Sequence, residues 1–101
     1  MKIVWSPLAI ERAYEAAAYI AGDKPEAALR WLDGLFEVTD RLEMFPESGR
    51  MVPEIDLPEF RELVYRKAYR IIYRLEKTRV SILTVRNFAQ LLDPSELGEV
   101  P

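Results

Sequence analysis

The order of apolar and polar patterns along this chain predicts an α+β fold, β-α-α-β-β-β, with a helical hairpin packed on one face of a mainly antiparallel four-stranded sheet. Three observations predict it. Leu8–Ala21 and the stretch from Lys24 to about Met44 carry apolar residues at helical spacing, with only Gly22 and Asp23 between them. Phe60–Glu76, FRELVYRKAYRIIYRLE, alternates apolar and charged residues as two strands folded on each other would. Val80–Asn87, VSILTVRN, is apolar on both parities, as a central strand is. A chain of 101 residues, half of them hydrophobic, suits one domain over residues 1–101, with 88–101 as a partly mobile tail.

Met1–Trp5, MKIVW, is a short apolar strand. Ser6-Pro7 starts the first helix: serine caps the free N–H groups, and proline lacks the N–H that would go unpaired at that position. Ile10, Ala13, Tyr14, Ala17 and Ile20 form the expected buried set, with six alanines allowing close approach of a second helix. Gly22 stops this helix. Asp23 with Glu26 has capping-box spacing and is expected to open the second helix. Ala28, Trp31, Leu32, Leu35, Val38 and Leu42 form its apolar stripe. Pro46, Gly49, Pro53 and Pro58 exclude helix from Phe45–Glu59, which reads as a long loop with Arg50 as its single cation.

In the strands, Tyr69, Ile71, Tyr73 and Leu75 are expected to face the helices, leaving Arg70, Ile72 and Arg74 on the opposite face. The parity of Phe60–Arg66 depends on the turn near Lys67-Ala68. Either Arg61 with Tyr65, or Glu62 with Arg66, can face the helices. Arg86 shares parity with Ile82 and Thr84. Two helices cover one face of a sheet, so the other face is expected to stand open, studded with arginines.

Net charge is −3, a poor match to a generic nucleic-acid binder, but the distribution is polarised. Residues 1–60 hold six basic against twelve acidic residues, residues 61–86 eight against two, and residues 87–101 none against three. Arg61, Arg66, Arg70, Arg74 and Arg86 are therefore candidate binding residues for carboxylate or phosphate partners, although arginine is also a common solvent-side residue on strands. The chain has no cysteine and no histidine, which removes disulfides, thiolate and imidazole metal ligands, and the usual general base. No metal or cofactor is expected. No run reaches membrane-spanning length and no signal-peptide pattern opens the chain.

Over roughly residues 3–90 the chain resembles the RelE/ParE superfamily of type II toxin–antitoxin (plasmid stabilisation) toxins. The resemblance rests on Ser6-Pro7 with Tyr19-Ile20-Ala21, on Pro25 with Ala27-Ala28, and on the loop Phe45-Pro46-Glu47-Ser48-Gly49-Arg50. Arg61-Glu62-Leu63-Val64, Tyr69-Arg70-Ile71-Ile72-Tyr73-Arg74 and Ile82-Leu83-Thr84-Val85-Arg86 complete it. It implies a cytoplasmic, growth-inhibiting toxin neutralised by a cognate antitoxin, whose acidic segment would meet the arginines. Both a homodimer and a hetero-oligomer with the antitoxin stay open.

The superfamily has two activities. The RelE-like branch implies a ribosome-dependent endoribonuclease acting on messenger RNA, with Arg70 matching its strand arginine, Arg86 near a second arginine on the last strand, and Arg50 and Tyr73 as further players. The ParE-like branch implies a non-enzymatic inhibitor of DNA gyrase. Two departures favour the second. Phe88 stands where the nuclease branch tends to carry a Tyr or His, and phenylalanine cannot move a proton. Glu54, Asp56 and Glu59 make the approach to the strand acidic, whereas binding to a ribosome gains from positive charge. A third reading is a family member that has lost toxicity and acts only as a binding module.

Overall fold

A computed structural model describes residues 1–98. Its elements in chain order are strand β1 (Lys2–Trp5), helix α1 (Pro7–Ala21), helix α2 (Pro25–Asp40) with a 3-10 turn at Arg41–Glu43, and strands β2 (Arg50–Met51), β3 (Phe60–Tyr65), β4 (Tyr69–Leu75) and β5 (Arg79–Asn87). A second 3-10 turn spans Pro94–Leu97.

The sheet has five strands rather than four, in the order β1-β5-β4-β3-β2. β1 runs parallel to β5, and the other pairings are antiparallel. The additional strand is β2, two residues long inside the proline-containing loop, too short to show a period in sequence.

Local chemistry explains the helices. The Ser6 hydroxyl accepts from the Ala9 N–H at 3.0 Å, and Gly22 ends α1 with φ of 58°. The expected cap of α2 is displaced: Lys24 occupies that position without a side-chain hydrogen bond, and Pro25 opens the helix. The buried face of α1 is also rotated from the expected set. Ala9, Ala13 and Ala17 are buried while Ile10 and Tyr14 are exposed, because a row of methyl groups lets the helix approach α2 and β5 closely. On α2 the buried residues are Trp31, Leu32, Leu35 and Thr39, with Leu42 following in the turn. The Trp31 ring lies edge-on to Tyr65 and Tyr69 at 5.3 and 5.1 Å and joins α2 to the sheet.

Register settles which side chains face the helices. Tyr69, Ile71 and Tyr73 are in the helix-side core, as expected from alternation, with Leu75 packed against it. In β3 the pairs Leu63–Ile71 and Tyr65–Tyr69 put the odd residues on the helix side, so Phe60, Glu62 and Val64 share the far face with Arg70, Ile72 and Arg74. In β5 the register steps between Ile72–Thr84 and Tyr73–Ile82, leaving Leu83 as an extra residue. That bulge separates residues expected to share a face: Ile82 joins the helix-side core, while Thr84 and Arg86 lie opposite Ile72 and Arg70.

The far face is not open. Val52, Phe60, Ile72 and Leu97 form a second buried cluster, with Ile55, Leu57, Leu83 and Leu92 packed against it. The loop after β2 and the C-terminal segment fold over the sheet and bury apolar side chains there, which outweighs leaving them in water. In the tail, Leu92 is half-buried against this cluster and Leu91 is exposed. The described part of the tail is anchored instead by Leu97 and Glu96, and residues 99–101 lie outside the described chain.

Candidate functional site

The far face gathers the arginines around internal carboxylates. Glu62 projects from mid-β3, and its side chain is fully buried. Arg70 on the neighbouring strand donates to it through Nε at 2.8 Å and places Nη2 at 2.6 Å. The Arg70 fork then reaches the loop after β2, where Nη1 and Nη2 meet both oxygens of Glu54 at 2.7 and 2.8 Å. Arg50 of β2 donates to the remaining Glu62 oxygen from Nε at 2.7 Å. The Phe88 ring packs beside both guanidinium groups, 5.8 Å from each. Two arginines and two carboxylates thus form a neutral, closed cluster. Its hydrogen bonds hold the Glu54 carboxyl below the usual carboxylate range and push the Arg70 guanidinium further up, against the opposing effect of burial.

A second cluster lies on β5. Glu96, buried, receives Arg12 Nε at 2.8 Å, Arg86 Nη1 at 3.3 Å and the Thr84 hydroxyl at 3.2 Å. Arg86 Nη2 donates to the Leu91 carbonyl at 2.6 Å. Glu96 therefore ties the tail to α1 and β5 together, and it raises the pKa of Arg12.

The expectation of a bare cationic face is therefore corrected. Arg70 and Arg86, on adjacent strands and directly paired in register, are both consumed by the protein's own carboxylates. Arg61 falls on the other face, at the sheet edge, donating to the carbonyls of Pro58, Glu47 and Gly49. Arg66 sits in the β3–β4 turn over the Tyr65 ring, and Arg74 lies over the Phe60 ring. Among the described residues, Arg61, Arg66 and Arg74 have no carboxylate partner.

Of the four residues named for a nuclease, Arg50, Arg70 and Arg86 lie on the far face and Tyr73 does not. Arg50 and Arg70 share Glu62, whereas Arg86 belongs to the Glu96 cluster. Tyr73 points to the opposite side of the sheet, into the helix-side core. Its hydroxyl donates to the Pro46 carbonyl at 2.8 Å and accepts from the Gly49 N–H at 2.9 Å, and burial raises its pKa. That hydroxyl anchors the 45–50 loop. Among the described residues no three acidic side chains converge in a metal-holding arrangement, and no helix is long and apolar enough to cross a membrane.

Residues absent from the sequence expectation are the acids Glu54, Glu62 and Glu96, together with Arg12. One signal pointed at Glu62: it is one of only two acids in the cationic stretch 61–86. An isolated acid among many cations is a natural internal counter-ion.

Comparison with known proteins gives concordant results. Residues 3–92 match the family model described as the ParE toxin of the type II toxin–antitoxin system parDE. A protein of Sinorhizobium fredii named "Putative toxin Y4kP" is 37% identical over 90 residues, covering 88% of this chain and 90% of that one. A solved structure titled "Chromosomal ParDE TA system from P. aeruginosa" superposes with a TM-score of 0.71 at 20% identity, covering 86% of this chain and 95% of the other, and shares the fold. The extent of the family match and the identity to the Sinorhizobium relative make this chain a member of the ParE toxin family of type II toxin–antitoxin systems.

Proposed function

We propose that this ParE-family toxin acts in the cytoplasm by binding and inhibiting DNA gyrase, without catalysis of its own, and that a cognate antitoxin neutralises it. The observation that carries this reading is that the polar residues a nuclease would need are engaged by partners within the chain, although the buried Arg86 Nε has no hydrogen-bond partner. Arg70 is bound by Glu62 and Glu54, Arg86 meets Glu96 and the Leu91 carbonyl, and the Tyr73 hydroxyl bonds to the Pro46 carbonyl and the Gly49 N–H. The sequence contains no histidine, and arginine keeps its proton far above neutral pH. A protein so arranged suits surface recognition better than proton transfer. Three arginines without carboxylate partners, Arg61, Arg66 and Arg74, remain to meet the acidic segment of an antitoxin.

The test adds purified protein to a gyrase supercoiling reaction and, in parallel, maps message ends by primer extension in cells expressing it. Loss of supercoiling with intact messages is the expected outcome. Cleaved messages with normal supercoiling would establish the ribosome-dependent endoribonuclease in its place. Failure of both would mark a detoxified binding module.

A further inference from the structure

The turn joining β3 to β4 is held in a backbone conformation that its residues disfavour. The Ala68 N–H donates to the Tyr65 carbonyl at 3.2 Å, so Arg66 and Lys67 are the two central residues of a tight turn. Both lie in the left-handed region, with φ of 49° and 62°. Hairpins favour turns of this hand because their twist matches that of the strands, and Asn-Gly is the pair that adopts them readily. Arginine and lysine seldom do, because Cβ crowds the neighbouring carbonyl there. A costly pair of residues at the tip of a hairpin points to a use for their side chains.

The tip is also braced. The Arg66 guanidinium lies over the Tyr65 ring, 5.2 Å from its centre, and the Tyr65 hydroxyl donates to the Trp31 carbonyl at 2.8 Å, which fixes that ring on α2. From the other side the Phe88 N–H donates to the Ala68 carbonyl at 2.9 Å. Both Arg66 and Lys67 are exposed, and neither meets a carboxylate among the described residues. Arg50, Arg70, Arg79 and Arg86 of the same sheet are instead paired with the chain's own acids. Two free cations on a backbone already held in place lower the ordering cost of binding.

We propose that the Arg66-Lys67 tip is the contact by which this chain recognises a carboxylate-bearing patch on the gyrase protein, and that the turn keeps its unfavourable residues for that contact. The inference rests on the gyrase reading above and names its surface. Two unpaired cations on a braced turn suit a small cluster of carboxylates, which accept from the guanidinium and ammonium groups. The DNA that gyrase holds fits less well. The net charge is −3, and residues 1–60 hold twelve acidic against six basic residues, so a polyanion would attract the tip and repel the body of the molecule.

Two double variants separate the charge from the backbone cost. Arg66→Asn with Lys67→Gly removes both, and should raise the melting temperature by about 4 °C or more. Arg66→Gln with Lys67→Gln removes the charges and keeps the turn. Each should bind purified gyrase about tenfold more weakly than the unaltered chain, with a flatter dependence on salt, and equally so with and without DNA. Variants that bind as tightly as the unaltered chain overturn the tip while leaving the gyrase reading intact. Absence of gyrase binding by the unaltered chain overturns both. A loss confined to the Asn-Gly variant assigns the effect to turn shape, and a loss seen only with DNA present assigns it to phosphate; either overturns the proposal. So does an Asn-Gly variant that melts no higher than the unaltered chain, because the turn then carries no cost to be explained.

Discussion

The cluster around Glu62 predicts a large and specific effect of Arg70→Ala. Arg70 is 7% exposed and supplies the partner of Glu62 Oε1 and of both Glu54 oxygens. Removing it leaves a fully buried carboxylate with half of its hydrogen bonds. Orphaning one member of a buried ion pair costs about 3–5 kcal/mol. Arg50 still neutralises Glu62 from the other side, so the lower end, about 3 kcal/mol, applies. For a domain of this length that lowers the melting temperature by roughly 12 °C, at about 4 °C per kcal/mol. Two controls identify the cause. Glu54→Ala removes a partner that is 46% exposed and should cost about 1 kcal/mol or less. Arg70→Leu combined with Glu62→Leu removes both buried charges and should be less destabilised than Arg70→Ala, because no carboxylate is left stranded. Urea unfolding followed by circular dichroism measures all three. If Arg70→Ala falls within 1 kcal/mol of the parent protein, as an exposed pair would on the usual scale of about 0–1 kcal/mol, the cluster does not hold the far face together.

Further perturbations follow from other contacts. A methyl group at Gly34 would stand 2.2 Å from the Tyr65 hydroxyl oxygen, so Gly34→Ala should destabilise by about 1–3 kcal/mol instead of gaining the ~1 kcal/mol usual in a helix, and adding Tyr65→Phe should recover part of the loss in thermal melts. Tyr73→Phe strands the Gly49 N–H and the Pro46 carbonyl and should cost about 1–3 kcal/mol in urea unfolding; an unchanged midpoint would show that this hydroxyl does not anchor the 45–50 loop. Glu54 and Glu76 have carboxyl pKa values lowered from 4.5 by hydrogen bonds from Arg70 and Arg79 respectively. Their contribution is complete above the unfolded value and is lost as pH falls through the folded values. Denaturant midpoints should therefore decline below about pH 4.5, and Glu54→Gln should flatten that decline.

Much of the architecture is legible in sequence because it is set by neighbours a few residues apart. Ser6-Pro7 and Gly22 bound α1 through caps that act within one turn, and the odd residues of Tyr69–Leu75 face the helices because strand alternation is a local property. The polarised charge map and the motif order in residues 3–90 likewise belong to the chain itself, and they suffice for the family. The features that escaped depend on where distant segments come to rest. One bulged residue, Leu83, reverses the parity of Ile82 against Arg86. The two residues of β2 acquire strand form only because β3 lies beside them.

The fate of the arginines marks the division most sharply. Sequence alone determined that residues 61–86 are cationic and that Arg70, Ile72 and Arg74 lie on the side of the sheet away from the helices. Tertiary structure decided that Glu54, 16 residues before Arg70, and Glu96, 10 after Arg86, would arrive there to neutralise them. The physical reason is range: periodicity orients a side chain relative to its own strand, but its ionic partner is chosen by the path of a loop and a tail that must bury Val52, Ile55, Leu57 and Leu97 somewhere, and the far face of the sheet receives them.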